Sequence, residues 1–168
     1  MKEWLGLIAR LVTGGVWIVA GALKLGRPAD SVAAVKAYQM LPPSMAEFVG
    51  YLLPPLEVAI GVCLVLGLLT RVSATVSALL FVAFIIGIAS VWARGIEIDC
   101  GCFGGGGAKQ GAASDYPWEI ARDAGLLILS GWLMVFPRTR WALDNRLFAT
   151  SYKEREIDGL ESGEAHQG

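Results

Sequence analysis

The sequence is poor in histidine, in cysteine and in charge, and each scarcity narrows what the protein can be. Its one histidine, His166, lies near the polar C-terminus, so the apolar segments hold no imidazole to ligate haem or relay protons. Charged residues make up 17% of the 168 residues, and the net charge is -1. Because the basic residues are scattered rather than clustered, we expect no nucleic-acid partner.

Two of the three cysteines, Cys100 and Cys102, are separated by a single residue in the motif DCGCFG, residues 99–104. A tetrahedral zinc site needs four ligands, and no second cysteine or histidine pair is available to complete one. The site prediction therefore includes no resident metal. Copper(I), which accepts fewer soft ligands, and a purely structural role for the thiols remain open beside redox exchange.

Redox exchange is the use of this pair that we favour. Thiols at positions i and i+2 can close a small disulfide ring that departs from relaxed disulfide geometry. Gly101 between them accepts backbone angles that a side chain forbids. Because a strained, exposed disulfide is easily reduced, we predict Cys100 and Cys102 to be the catalytic residues.

Long apolar runs dominate the rest of the chain, which is 55% hydrophobic with a mean hydropathy of +0.55. A helix of about 20 residues crosses a hydrocarbon core. Four runs meet that length, over residues 4–25, 45–69, 72–93 and 118–136. The predicted fold is therefore all-α, a bundle of four transmembrane helices.

The domain prediction follows from these runs and from the polar C-terminus. Residues 1–150 form one membrane domain, and residues 151–168 form a polar, disordered tail in the cytoplasm. Arg71 stands in the short turn after the second run, and Arg138 and Arg140 follow the fourth run closely. By the positive-inside rule both termini are cytoplasmic, although Lys24, Arg27 and Lys36 in the first loop oppose this orientation.

This orientation places the CGC loop outside the cell membrane. Disulfides form and persist in extracytoplasmic compartments, so the location suits a redox pair. The two longer connections, one after the first run and one after the third, share this face.

Charged residues within the apolar runs are the next candidates. Glu57 lies near the middle of the second run, where an unpaired carboxylate costs about 2.5 kcal/mol or more. Arg10 lies about two turns in from the cytoplasmic end of the first run, which predicts an Arg10–Glu57 ion pair. That pair is either a structural clamp or part of a site that handles protons or a quinone head group. Arg122 and Asp123 are interpreted as anchors at the outer interface.

Three further motifs accompany DCGCFG: R-x3-GG-x4-AG-x2-K over residues 10–24, Y-x2-LP over residues 38–42, and LP-x2-E-x3-G over residues 53–61. Together, over residues 8–136, they resemble the MauE branch of the DoxX-like membrane proteins. The resemblance implies a four-helix membrane protein named for methylamine utilisation, which helps a thioredoxin-like periplasmic partner to mature a disulfide-rich enzyme subunit. Related proteins share helix topology with membrane disulfide oxidoreductases of the vitamin K epoxide reductase kind.

The resemblance also implies roles and partners. The expected function is thiol-disulfide exchange with a thioredoxin-like extracytoplasmic partner, in support of a partner enzyme, with a quinone as candidate cofactor. The chain lacks the second cysteine pair that such oxidoreductases use to relay electrons. A non-catalytic accessory subunit of a larger membrane complex is therefore the alternative. The residues carried over are the redox pair Cys100 and Cys102 and the polar residues Arg10, Lys24, Glu57 and Arg122.

Overall fold

The computed structural model describes residues 2–102 and 105–136, and within these ranges the chain is helical apart from its loops. The all-α prediction is confirmed for this part of the chain. The predicted tail, residues 151–168, lies outside it. The helices are α1 Lys2–Leu25, α2 Pro28–Ala37, α3 Pro43–Leu66, α4 Thr70–Ala93 and α5 Tyr116–Val135, with a short 3-10 turn at Ala112–Ser114. α1 and α4 each pack on both α3 and α5, and α2 lies against α3.

Three of the described helices are long and apolar enough to cross a membrane, namely α1 from Trp4 onward, α3 and α4. α5 is not among them, because Glu119, Arg122 and Asp123 fall within its 20 residues. Large apolar side chains on the outer surface, Phe48 on α3 and Leu79 on α4 among them, are largely exposed. Such a surface is suited to lipid and not to water, so the bilayer is the environment of this protein.

α1 and α3 approach closely because glycines lie where the two helices meet. A Cβ atom on Gly61 would lie 2.7 Å from the Gly14 carbonyl oxygen, and one on Gly21 would lie 2.8 Å from the Pro54 carbonyl oxygen. Small residues allow helix backbones to approach in this way within membranes. Gly15, by contrast, would meet nothing within 4 Å, so only one glycine of the Gly14-Gly15 pair serves this contact.

These two adjacent glycines give a matched test of the α1–α3 contact. Gly14→Ala would place a Cβ 2.9 Å from the Gly61 carbonyl oxygen and should lower the free energy of unfolding by about 1–3 kcal/mol. Gly15→Ala should be neutral or stabilise by up to about 1 kcal/mol, since alanine is the better helix former. Thermal unfolding in detergent measures both. Equal losses would contradict the close approach.

α3 ends earlier than predicted. It stops at Leu66, and Gly67 adopts the left-handed conformation with φ +68°. The Leu68 N–H donates to the Cys63 carbonyl at 2.9 Å, and the Gly67 N–H donates to Leu64 at 3.1 Å, which is a glycine-terminated helix end. The turn into α4 therefore occupies residues 67–69 and not residues 70–71, because glycine ends the helix while the apolar composition continues.

α2 is held on α3 by a carbonyl group that a proline leaves free. Pro54 has no N–H, so the carbonyl of Gly50, four residues earlier, has no partner within the helix. The Ser31 hydroxyl of α2 donates to that carbonyl at 2.8 Å. A Cβ on Gly50 would lie 2.6 Å from the Val32 Cα atom, so glycine is needed there for α2 to dock. This contact fixes α2 beside the loop that carries the cysteines.

Candidate functional site

The loop between α4 and α5 carries the CGC motif, and a short antiparallel bridge between Ile98 and Ala108 closes it. The Asp99 N–H donates to the Gly107 carbonyl at 3.0 Å. Tyr116, at the start of α5, binds the backbone of the residues just before the CGC motif. Its buried phenol oxygen accepts the Ile98 N–H at 2.9 Å and lies 2.9 Å from the Ile96 carbonyl oxygen. The cysteines therefore follow an anchored segment.

Both cysteines are free thiols, and both are buried, with 7% of each residue exposed. The expectation of an exposed pair is wrong in this respect, because α2 covers the loop. Gly101 has φ +69°, and the Cys102 N–H donates to the Cys100 sulfur at 3.4 Å. The turn thus places the Cys102 backbone against the Cys100 sulfur. A Cβ on Gly101 would lie 2.6 Å from the Ala34 Cβ atom, so glycine also lets the loop sit on α2.

Tyr38, just after α2, holds the loop from the other side. Its hydroxyl donates to the Cys100 carbonyl at 2.9 Å, and the Arg94 guanidinium donates to the Tyr38 carbonyl at 2.5 Å. These contacts confirm that the two longer connections share one face. Burial raises the pKa of Tyr38, so the phenol stays protonated and remains a donor.

The electrostatics around Cys100 favour its thiol over its thiolate. The side-chain interaction with Cys102 and burial raise the pKa of the Cys100 thiol, whereas the backbone N–H of Cys102, which donates to the Cys100 sulfur, acts in the opposite direction. Nucleophilic attack requires a thiolate. A cysteine that reacts must therefore first transfer its proton to a nearby group or to solvent.

Beneath the loop, Lys24 of α1 and Glu57 of α3 form a buried ion pair. Lys24 Nζ lies 2.5 Å from Glu57 Oε1, and the two side chains are 3% and 0% exposed. The Lys24 ammonium also lies 5.4 Å from the centre of the Phe84 ring. Since an unpaired charge is costly in hydrocarbon, each of the two residues provides the counterion that the other needs in order to be buried.

The predicted Arg10–Glu57 pair is wrong. The antiparallel register that places Gly14 beside Gly61 places Arg10 beside Val65, and the Arg10 guanidinium donates to the Val65 carbonyl at 3.0 Å. Helical side chains lean toward the N-terminus of their own helix. Lys24 and Glu57 therefore lean toward each other, whereas Arg10 leans away from Glu57.

A small cavity of about 20 Å³ lies between Glu57 and Cys102. It has room for about one water molecule. Trp17, Phe81 and Phe84 form apolar parts of its wall. Its polar lining comes from four residues on three parts of the structure, namely Glu57, Cys102, Arg122 and Asp123.

Asp123 is the functional candidate that the sequence interpretation missed. It is only 2% exposed, so it is not an interfacial anchor. Arg122 donates to its Oδ1 atom from Nε at 3.0 Å and from a terminal nitrogen at 2.9 Å. Its position one turn after Glu119, on the same face of α5, is the signal that could have identified it.

The structure thus gathers five of the six predicted site residues at one end of the bundle and leaves Arg10 apart. Cys102, Glu57 and Arg122 line the cavity, Lys24 binds Glu57, and Cys100 adjoins Cys102 in the loop. Within residues 2–102 and 105–136, no three histidine, cysteine or acidic side chains are placed to hold a metal ion.

The fold and site define a helical integral membrane protein whose paired-thiol loop lies over buried charges. The family model described as methylamine utilisation protein MauE matches residues 2–136, and the chain belongs to this family. Comparison with curated proteins and comparison with solved structures gave no match.

Proposed function

We propose that the protein exchanges disulfides through Cys100 and Cys102 with a thioredoxin-like extracytoplasmic partner, and so supports the maturation or electron supply of a partner enzyme. The observation that carries the proposal is the CGC turn itself, held by Tyr38 and Tyr116 over a cavity lined with ionisable groups. Membership of a family described by methylamine utilisation makes an enzyme of that process the candidate beneficiary.

The exchange runs through two thiolate attacks. One cysteine loses its proton and attacks the partner disulfide, so one sulfur–sulfur bond breaks as a mixed disulfide forms. The second cysteine then attacks the first, which closes the CGC disulfide and releases the partner as a dithiol. Two electrons pass to the partner, whose sulfurs take up two protons. The reverse sequence oxidises the partner.

A quinone is the proposed acceptor if the pair must be reoxidised within the membrane. An apolar groove of about 200 Å³ lies beside the site, lined by Tyr38, Leu53 and Gly87 among others. Phe84 belongs to the walls of both the groove and the cavity that Cys102 lines. An apolar ring system in the groove would be separated from the cavity by one side chain.

We also propose that all four long helices cross the membrane, with the termini in the cytoplasm and the CGC loop outside. Ile128 and Val135 give α5 an apolar outer face, at 72% and 69% exposed. Its charged residues lie in its first two turns, near the loop end. Arg71 lies at the opposite end, where the positive-inside rule places the cytoplasm.

A non-catalytic accessory subunit remains the second candidate, and one observation favours it. The thiols are buried and the pKa of Cys100 is raised, which is typical of unreactive structural cysteines. Under that reading the charged cluster would serve only to fix how the helices pack.

Thiol trapping separates the two candidates. In a Cys63→Ala background, Cys100 and Cys102 should switch together between a protected and an alkylated state as membranes are oxidised and reduced. A membrane-impermeant reagent should label them on intact cells after reduction. Cys100→Ser should abolish the switching of Cys102 and serves as the control.

Alkylation that is identical under oxidising and reducing conditions would eliminate disulfide exchange and leave the accessory role. Labelling that required cell lysis would invert the proposed orientation. In that case the partner would be sought in the cytoplasm.

A further inference from the structure

Two carboxylate oxygens at the cavity are buried and lack a hydrogen-bond partner among the described residues. They are Glu57 Oε2 and Asp123 Oδ2. Each belongs to a carboxylate whose other oxygen is paired, with Lys24 and with Arg122 respectively. Cys102 lines the same cavity. Buried polar atoms normally have a partner, so these two oxygens indicate a water-binding position next to the thiol.

The two carboxylates differ in how easily each can take a proton. Protonation of Glu57 would leave the Lys24 ammonium, 3% exposed, without a counterion in a hydrocarbon environment. Protonation of Asp123 would remove the negative charge beside Arg122. The Arg122 side chain, however, is 24% exposed and can extend its charged group toward water. Asp123 is therefore the group that can gain a proton at the smaller cost.

We propose that Asp123 accepts the proton of the Cys102 thiol through a water molecule held in this cavity. The inference rests on the proposed disulfide exchange. The Cys102 S–H bond breaks, its proton moves to the water, and the water passes one of its own protons to Asp123 Oδ2. The thiolate then attacks the disulfide of the partner, and the departing sulfur takes a proton from solvent. Asp123 later returns its proton to solvent, so the exchange remains balanced.

The charge of the cavity changes little in this transfer, which is why a local acceptor matters. Moving a proton from Cys102 to Asp123 relocates one negative charge within the cavity and adds none. Ionising Cys102 directly to solvent would add a charge to a buried site. The charged and titratable groups around Asp123 are Lys24 on α1, Tyr38 just after α2, Glu57 on α3, Glu119 and Arg122 on α5, and Cys100 and Cys102 in the loop, while α4 contributes Phe81 and Phe84.

The test compares the two cysteines one at a time. In a Cys63→Ala background, Cys100→Ser leaves only Cys102, and Cys102→Ser leaves only Cys100. Each protein reacts with dithiodipyridine, which forms a mixed disulfide and releases one coloured pyridinethione. Asp123→Asn should slow the reaction of Cys102 by on the order of 100-fold, the lower range of general-base effects. The reaction of Cys100 should change by less than about twofold.

The pH profile distinguishes a proton acceptor from a structural residue. With Asp123 present, the rate for Cys102 should level off once Asp123 is ionised. With Asp123→Asn, the rate should rise in proportion to hydroxide across the whole range. Asp123→Glu, which keeps the carboxyl group, should restore the plateau. Glu47→Gln, which alters a carboxylate that is 55% exposed and does not line the cavity, should leave the profile of Cys102 unchanged.

A second variant keeps the proposal testable if Asp123→Asn folds poorly. Ala20 lines the cavity, so Ala20→Val should exclude the water without changing any ionisable group. We expect it to slow Cys102 as Asp123→Asn does. An unchanged rate for Cys102 in either variant, or equal slowing of both cysteines, would overturn the role of Asp123. If the wild-type cysteines form and break their disulfide while the Cys102 rate is unchanged in both variants, the proposed disulfide exchange is supported and the role of Asp123 as proton acceptor is wrong.

Discussion

Lys24→Met or Glu57→Leu, each made alone, is expected to lower the free energy of unfolding by about 3–5 kcal/mol. The loss is smaller if the remaining charged side chain can reach water or polar groups at the membrane surface. Each change leaves one charge buried without its counterion. The partners lie 2.5 Å apart, and neither is more than 3% exposed. Denaturant titration in detergent and the yield of folded protein measure the effect.

The double variant Lys24→Met with Glu57→Leu should recover most of the loss, because two apolar side chains suit this environment better than one ion. The chain provides its own control in the Lys36–Glu47 pair, whose side chains are 43% and 55% exposed. Breaking that pair should cost less than about 1 kcal/mol. Equal costs for the buried and the exposed pair would show that Lys24 and Glu57 are solvated, which would contradict their placement.

A recovered double variant also separates stability from chemistry. If the fold returns but the CGC pair cycles slowly, the buried pair contributes to the reaction through the cavity that Glu57 lines. If cycling returns with the fold, Lys24 and Glu57 act as a clamp between α1 and α3. Either result tells how the charges below the cysteines are used.

The helices were predictable because apolar length alone identifies them. Hydropathy located α1, α3 and α4 to within a few residues, and it also located the loop between α4 and α5 that contains the CGC motif. The end of α3 was misplaced, because the runs before and after Gly67 are equally apolar and only the glycine ends the helix.

The partner of Glu57 could not be predicted, because hydropathy does not report helix rotation or register. Arg10 and Lys24 both lie on α1, and the choice between them depends on the glycine contacts that align α1 with α3. The burial of Asp123 was missed for a related reason. A charge near the start of a membrane helix is typical of an interfacial position, and hydropathy does not report the residues of α1, α3, α4 and the loop that surround Asp123.

Gly101→Ala should reduce the rate of disulfide cycling by on the order of 100-fold while the helices remain folded, since small misplacements of reacting groups have effects of that size. Two costs combine at this position. A side chain at φ +69° is strained by about 1–2 kcal/mol. The added Cβ would also lie 2.6 Å from the Ala34 Cβ atom, so the loop must move off α2. Circular dichroism and the reoxidation rate by dithiodipyridine measure the two effects.

Two companion variants separate the costs. Gly95 lies in the same loop with φ +67° and has open space around it, so Gly95→Ala carries the strain without the collision and should leave cycling near the wild-type rate. Ala34→Gly removes the atom with which the new Cβ collides and should restore much of the cycling lost in Gly101→Ala. If Gly101→Ala instead behaves like Gly95→Ala, the seating of the loop on α2 does not set the geometry of the pair. The hydrogen bond from Tyr38 to the Cys100 carbonyl would then be the next contact to test for orienting the thiols, because it binds the backbone of Cys100 itself.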